Sequence, residues 1–353
     1  MAHPAYRRIL VFRAGALGDL LLAAPALFRV RRTFPEAEIS LVARSDYAEL
    51  LATSLSLEKI HDIDTRFLSP LFLDNAERSR LVGTRPDTRD DGALERFLGG
   101  FDLIISWLGD ERQPFAANVR RLSAAALIAA APHPPPGSDL HAADYLVGTL
   151  ASLGLRTPEE PFRLELPPYI PQTCDRLLSD SGVSVTRAVL AVHPGSGGMR
   201  KCWPVGNFIT VARRLARMHK TTAGGRPGQR LPDRRCPAVL WLLGPAERER
   251  ADHFSAGLPE ETDSEQSPFV VMSSLPVMIL AGLLDRASLY VGNDSGVSHL
   301  AGLLGTPSVV LFGPTSPGTW APRGEHVRVL AAKRLEDLGT EQVLSVLEEL
   351  WQA

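Results

Sequence analysis

Ten short apolar runs alternate with stretches able to form helices, five on each side of a proline-rich stop. The first half holds Arg7–Arg13, Glu38–Ala43, Lys59–Ile63, Phe101–Leu108 and Ala124–Ala130. The second holds Val189–His193, Val239–Leu243, Phe269–Met272, Leu289–Val291 and Ser308–Phe312. Runs that stay apolar suit strands buried on both faces, and strands alternating with helices form parallel sheets covered by those helices. The pattern therefore predicts an α/β fold. Helices fit over Asp19–Phe34, Val205–Met218, Ala246–Leu258, Pro276–Arg286 and Ser298–Leu304, and an amphipathic one over Glu341–Trp351. At Leu166-Pro-Pro-Tyr-Ile-Pro171 the alternation stops, because proline excludes helix and stiffens the chain. The boundary is placed there, giving an N-terminal domain over 1–167 and a C-terminal domain over 172–333, with 334–353 packing on one of the two. A chain of 353 residues exceeds the roughly 250 to 300 that one core supports, which also favours two domains.

Composition narrows the function classes. With 44% hydrophobic and 22% charged residues the chain is not intrinsically disordered. Its 38 basic and 40 acidic side chains leave a net charge of −2, which gives no bulk footprint for nucleic acid. Cys174, Cys202 and Cys236 form no CxxC pair, so neither a disulfide framework nor a cysteine zinc site is expected. The apolar stretch Leu20–Phe28 is far shorter than the roughly 20 residues needed to span a bilayer, and no signal-peptide cleavage pattern is evident. A cytoplasmic location is the expectation. Asp64–Gly100 reads as charged and irregular, and Thr221–Pro237, with Gly224, Gly225 and Gly228, as a solvated, poorly ordered insertion.

Three loops carry the polar chemistry, each at the carboxyl end of an expected strand, the edge where open α/β sheets bind ligands. In Arg13-Ala-Gly-Ala-Leu-Gly-Asp19 the glycine spacing is not that of a dinucleotide fingerprint, and Asp19 is placed to cap a helix start. His193-Pro-Gly-Ser-Gly-Gly-Met-Arg-Lys201 combines backbone that can approach an anion with two cations that can neutralise it. Gly292-Asn-Asp-Ser-Gly-Val-Ser-His299 gathers a carboxylate, hydroxyls and a histidine before an apolar helix. A Ser-His hydrolase lacks its GxSxG elbow here. Asp62-Ile-Asp64 matches a DxD metal motif over three residues, but aspartates leaving a strand are common and no metal is expected. Arg29, Arg31 and Arg32, with Lys59 and Arg66, read as a wet face rather than a membrane-binding one.

The Arg-x-Gly-x-x-Gly-Asp turn, Lys201-Cys-Trp-Pro204, Asn293-Asp-Ser-Gly-Val-Ser-His299 and Leu311-Phe-Gly-Pro-Thr-Ser-Pro317, in that order, resemble the family 9 glycosyltransferases. These are the ADP-heptose:lipopolysaccharide heptosyltransferases and their relatives. The resemblance implies a GT-B fold of two Rossmann-like domains, with acceptor held mainly by the first, nucleotide sugar by the second, and reaction in the cleft between. It implies inverting transfer of a sugar, a heptose by analogy, from an ADP-linked donor to a lipopolysaccharide core or related envelope glycan. Asp19 then matches the general base, with Arg13 and Gly18 as acceptor-side candidates. Gly195, Ser196 and Lys201 match the diphosphate loop, Glu247 a ribose contact, and Asp294, Ser295, Gly296 and His299 the loop and helix start around the phosphates. No obligatory metal or other cofactor is implied, and a glycolipid acceptor would bring peripheral contact with the inner face of the cytoplasmic membrane. Asp64–Gly100 matches no family motif, and Thr221–Pro237 is longer than the family leads one to expect. Two other readings stay open: a nucleotide-sugar epimerase of the same architecture, and a non-catalytic nucleotide-sugar-binding protein in which Asp19 only caps its helix.

Overall fold

The computed structural model describes residues 6–74, 77, 88–155, 162–218, 233–244, 247 and 269–352. The chain divides into two compact units, Met1–Phe162 and Arg163–Ala353.

The first unit is a five-stranded parallel sheet built from β1 (Arg8–Phe12), β2 (Glu38–Ala43), β3 (Lys59–Asp62), β4 (Leu103–Ser106) and β5 (Ala126–Ala129). Its order, β3-β2-β1-β4-β5, reverses direction at β1. Ligands of open α/β sheets bind outside the carboxyl ends of the strands at such a reversal, so the loops after β1 and β4 are the ones to inspect. All four residues Ile9–Phe12 of β1 are buried, as the continuous apolar run requires of a central strand. Helices α1 (Leu17–Thr33) and α2 (Ser45–Leu55) follow β1 and β2. The segment Asp64–Gly100, expected to be irregular, instead contains a 3₁₀ turn over Arg66–Phe72 and helix α3 (Thr88–Leu98). Leu68, Leu71, Leu94 and Leu98 bury there with Phe12, Ile104 and Phe115, and that apolar contact outweighs the charged look of the text. Residues 75, 76 and 78–87, at the centre of that segment, lie outside the described residues. Helices α4 (Pro114–Leu122) and α5 (Ala142–Gly148) complete the unit.

The domain boundary falls at 162/163, a few residues before the proline stop at which it is expected. Phe162 packs on Phe28 of α1 at 5.2 Å between ring centroids, whereas the Leu164 N–H already donates to Leu303 O in the second unit at 2.9 Å. Pro171 sits in the first turn of α6 (Ile170–Asp180), where the missing N–H costs nothing and the fixed φ suits a helix start.

The second unit is a six-stranded parallel sheet, β11-β10-β9-β6-β7-β8. Its strands are β6 (Arg187–His193), β7 (Asp233–Leu243), β8 (Phe269–Ser273), β9 (Leu289–Asn293), β10 (Ser308–Phe312) and β11 (Val327–Ala331). Strand β11 is one more than the sequence pattern predicts, since it lies at the sheet edge and leaves Arg328 and Ala331 exposed. Strand β7 begins inside the expected Thr221–Pro237 insertion and pairs with β6 through an irregular register; residues 219–232 lie outside the described residues. The helix expected over Ala246–Leu258 also lies outside them, apart from Glu247. Helices α7 (Val205–Met218), α8 (Val277–Arg286), α9 (Gly296–Leu304), the short α10 (Pro317–Trp320) and α11 (Thr340–Gln352) fill the connections. The terminal helix α11 belongs to this unit, with Val343, Leu344, Leu347 and Trp351 buried in the same core as Trp203, Phe208 and Trp241. Here too the sheet reverses, between β6 and β9, and the loops that follow those two strands are the two polar loops singled out from the sequence.

Candidate functional site

In the first unit the site is built around the turn between β1 and α1. Gly15 has φ +120, and a Cβ there would lie 2.5 Å from an Asp19 carboxylate oxygen, so only glycine lets the turn close over that side chain. Asp19 is the third residue of α1 and accepts the Ala16 N–H on Oδ2 at 2.8 Å, which satisfies one of the orphan amides of the helix start. The cap is only part of its role. Oδ1 lies 2.8 Å from His133 Nε2, and because an ionised carboxylate only accepts, Nε2 donates. Arg13 NH2 stands 3.6 Å from the same oxygen. Burial raises the carboxyl pKa, but the His133 hydrogen bond, the Ala16 amide and the Arg13 charge together outweigh it, and the net shift is downward. Asp19 is thus an ionised, partly exposed carboxylate at the point where the sheet reverses.

Arg13 is 1% exposed. Its Nε donates to Asp19 O at 3.0 Å and its NH1 to Pro132 O at 3.0 Å and Trp107 O at 3.4 Å. One guanidinium therefore ties together the loops after β1, β4 and β5. Burial lowers its pKa and the Asp19 charge opposes that shift. Gly18 is the second residue of α1.

In the second unit two loops are stapled to each other by Asn293, the fully buried last residue of β9. Its Nδ2 donates to Pro194 O at 2.7 Å, and its Oδ1 accepts the Trp203 N–H at 3.0 Å. Ser196 Oγ donates to Asp294 O at 2.6 Å. Lys201 Nζ and Thr315 Oγ1 both donate to Asp294 Oδ2, at 2.8 and 2.7 Å. Ser295 is the N-cap of α9, its hydroxyl accepting the Ser298 N–H, and Gly296 is the first helical residue. The first-turn amides of such a helix have no intrahelical acceptor and, with the dipole, favour an anion. His299 lies buried one turn into α9. Beneath these, the Tyr290 hydroxyl meets Ser298 Oγ at 2.9 Å, and burial raises its pKa.

Glu247 closes the turn after β7, its Oε2 accepting the Gly244 N–H at 2.9 Å. A Cβ on Gly195 would come within 2.4 Å of the Glu247 carboxyl carbon, so glycine permits this packing of loop on carboxylate. His193, at the end of β6, donates from Nδ1 to Leu242 O at 2.8 Å. Burial lowers its pKa against the opposing pull of that carbonyl and of Glu247, which keeps the ring neutral with Nε2 unprotonated.

The segment 229–347 matches the family model for glycosyltransferase family 9 (heptosyltransferase). That segment is similar to glycosyltransferase family 9. Over 323 residues the chain is 25% identical to lipopolysaccharide heptosyltransferase 1 of Pseudomonas aeruginosa, covering 88% of this chain and 80% of that protein. Among solved structures it is similar to a family 9 glycosyltransferase from Veillonella parvula, with a TM-score of 0.74, 20% identity and 99% of each chain covered. It is also similar to Escherichia coli ADP-heptose lps heptosyltransferase II, with a TM-score of 0.71, 17% identity and 98% of each chain covered. The two parallel α/β units are of the GT-B type that the resemblance implies, and the protein is a glycosyltransferase.

Of the residues expected in the site, Ser196, Lys201, Asp294, Ser295 and Gly296 converge at one sheet reversal, with Gly195 and Glu247 together alongside. Asp19 stands at the other reversal, and Arg13 lies under the turn rather than on its surface. Asp62 ends β3, and its carboxylate accepts the N–H groups of Asp64 and Ser45 at 2.9 and 3.3 Å, a turn-closing role. Among the described residues no three His, Cys, Asp or Glu side chains gather in a way that could hold a metal ion, and no helix is long and apolar enough to cross a membrane. His133, Asn293 and Thr315 escape the sequence reading as site residues. The one available signal for His133 is its position, just past an apolar run and before Pro134-Pro-Pro136, where a stiff segment can fix a side chain at a strand end.

Proposed function

We propose that this glycosyltransferase moves a heptose, with inversion, from an ADP-linked donor to a lipopolysaccharide core sugar or a related envelope glycan. The observation that carries the reading is a division of labour. One unit holds an ionised carboxylate, Asp19, at its sheet reversal, and the other holds an anion-accepting helix start beside a lysine at its own. An inverting transfer needs one of each. Asp19 takes the proton of the acceptor hydroxyl while that oxygen bonds to the anomeric carbon. The bond from the anomeric carbon to the diphosphate oxygen breaks, and its electron pair leaves with the diphosphate. The charge growing there meets Lys201 and the first-turn amides of α9. A single displacement reverses the configuration at the anomeric carbon. No metal is required for this, since the cation and the amides neutralise the leaving group. The named functions of the similar proteins support heptose and ADP over other choices.

The test incubates the protein with ADP-heptose and a heptose-free lipopolysaccharide core and follows ADP release and the mass of the glycan. Transfer that depends on both substrates is expected. Isomerised or free sugar from donor alone would instead mark an epimerase or hydrolase, and binding without turnover would mark a non-catalytic protein.

A further inference from the structure

We infer that His133 is the positioning residue of the candidate base, holding the Asp19 carboxylate in place from the loop after the edge strand β5. The inference rests on the assignment of Asp19 as base and adds to it a second residue, 114 positions away in sequence.

The geometry is built rather than incidental. His133 follows β5, the edge strand, and reaches back past β4 to the turn after β1. What brings it there is the buried Arg13, whose NH1 donates to the carbonyl of the preceding residue, Pro132, at 3.0 Å while its Nε holds the Asp19 carbonyl at 3.0 Å. Pro134, Pro135 and Pro136 stiffen the chain immediately after. One cation thus fixes the backbone on both sides of the 2.8 Å contact between Nε2 and Oδ1. Among the described residues, the groups facing the carboxylate are Arg13 from the β1 loop, His133 from the β5 loop, and the Ala16 amide at the helix start.

This arrangement has a chemical consequence. A carboxylate on a helix can rotate about its side-chain torsions, and misplacing a catalytic group by about 1 Å can cost on the order of 10²-fold in rate. With Oδ2 on Ala16 and Oδ1 on His133 the carboxylate plane is pinned at both oxygens, and each oxygen keeps lone-pair capacity for the incoming hydroxyl. A hydrogen bond to the charged form also lowers the carboxyl pKa, which favours the ionised base.

The experiment compares His133→Ala and His133→Gln with the parent, using ADP-heptose and a heptose-free lipopolysaccharide core, with Asp19→Asn as reference. Glutamine can offer an N–H in place of Nε2; alanine cannot. His133→Ala is expected to lose about 10- to 100-fold in kcat with donor KM unchanged, glutamine to recover most of it, and the acid limb of the kcat profile to move to higher pH in the alanine variant. Carboxyl ¹³C titration of Asp19 in labelled protein, assigned with Asp19→Asn, should show the same upward shift without any substrate. Parental kcat and an unmoved limb in His133→Ala would overturn the inference. So would a kcat loss that glutamine does not repair, together with an unmoved carboxyl titration, since that pattern belongs to mere loop support. Full turnover in Asp19→Asn would instead overturn the base assignment itself, which separates the two failures.

Discussion

Lys201 Nζ donates to Asp294 Oδ2 at 2.8 Å, so the cation expected to meet a diphosphate already has a carboxylate partner before any ligand arrives. Asp294 is held in turn by Thr315, and its side chain is nearly buried, while Lys201 remains 36% exposed. The pair therefore presents a lysine in a fixed place, with Asp294 setting the place and also opposing an anion. Charge-assisted hydrogen bonds of this type contribute about 1.5 to 3 kcal/mol. Lys201→Ala is expected to weaken ADP binding by that order, since it removes the cation and leaves the Asp294 charge uncompensated. The double variant Lys201→Ala/Asp294→Asn should then bind ADP more tightly than Lys201→Ala alone. Calorimetry on the three proteins checks this, and equal affinity in the single and double variants would mean that the diphosphate does not sit near this pair.

Asp19→Asn should keep ADP affinity close to the parent and lose roughly 10² to 10⁴ in turnover, the span of general-base assistance. It should also change stability in a pH-dependent way. The folded carboxyl pKa lies below its ordinary value, so ionised Asp19 stabilises the fold above the unfolded carboxylate pKa of about 3.9, and that contribution disappears as pH falls through the folded value. The difference in Tm between parent and Asp19→Asn should therefore be full near neutrality and shrink toward acid. A difference that grows on acidification would contradict the downward shift.

Much of this architecture can be read from the chain before any coordinates, and the reason is burial on both faces. Strands such as Ile9–Phe12 and Leu289–Val291 are wholly buried, so they read as unbroken apolar runs, and the polar loops that follow them stand out by contrast. Strand β11 is lost because Arg328 and Ala331 face water at the sheet edge. His133 is lost for another reason: its partner is 114 residues away, and nothing local to either residue encodes the pairing. Arg13 is legible as part of a motif but not as a buried one, since an arginine among glycines reads as a surface cation until three carbonyls are found around it.

Asn293 offers a test of whether the two donor-side loops work as one. It is fully buried and joins Pro194 O to the Trp203 N–H. Asn293→Ala leaves both backbone groups without that partner, at about 1 to 3 kcal/mol for each buried unsatisfied group. Thermal melts should show this loss, and ADP affinity should fall as well, because the loop bearing Ser196 and Lys201 is no longer tied to the one bearing Asp294. Asn293→Asp is the informative companion: its carboxylate can still accept from Trp203 but cannot donate to Pro194. ADP affinity unchanged in a destabilised Asn293→Ala would show that the loops bind independently.

Donor choice is the prediction furthest from the residues. The loops around Gly195 and Gly296 suit any nucleoside diphosphate, since amides and a lysine recognise phosphate charge and not a base. Preference for adenine over uracil or guanine rests on the similar heptosyltransferases, and the expected outcome is that ADP raises the Tm more than UDP or GDP at equal concentration. Sugar choice can be sharper than base choice. A pocket that hydrogen-bonds a ligand hydroxyl leaves its own polar groups unpaired when that hydroxyl is missing, and it can reject the shorter analogue by about 10⁴-fold. ADP-heptose should therefore be used far better than an ADP-hexose lacking the seventh carbon and its hydroxyl, as judged by kcat/KM with a common acceptor. If, as proposed, Lys201 and the start of α9 supply the charge that a divalent ion would otherwise provide, activity should also survive EDTA. Abolition by EDTA with rescue by magnesium or manganese would require a metal-dependent mechanism. Comparable transfer from the two sugars would leave a glycosyltransferase whose donor is not specifically a heptose.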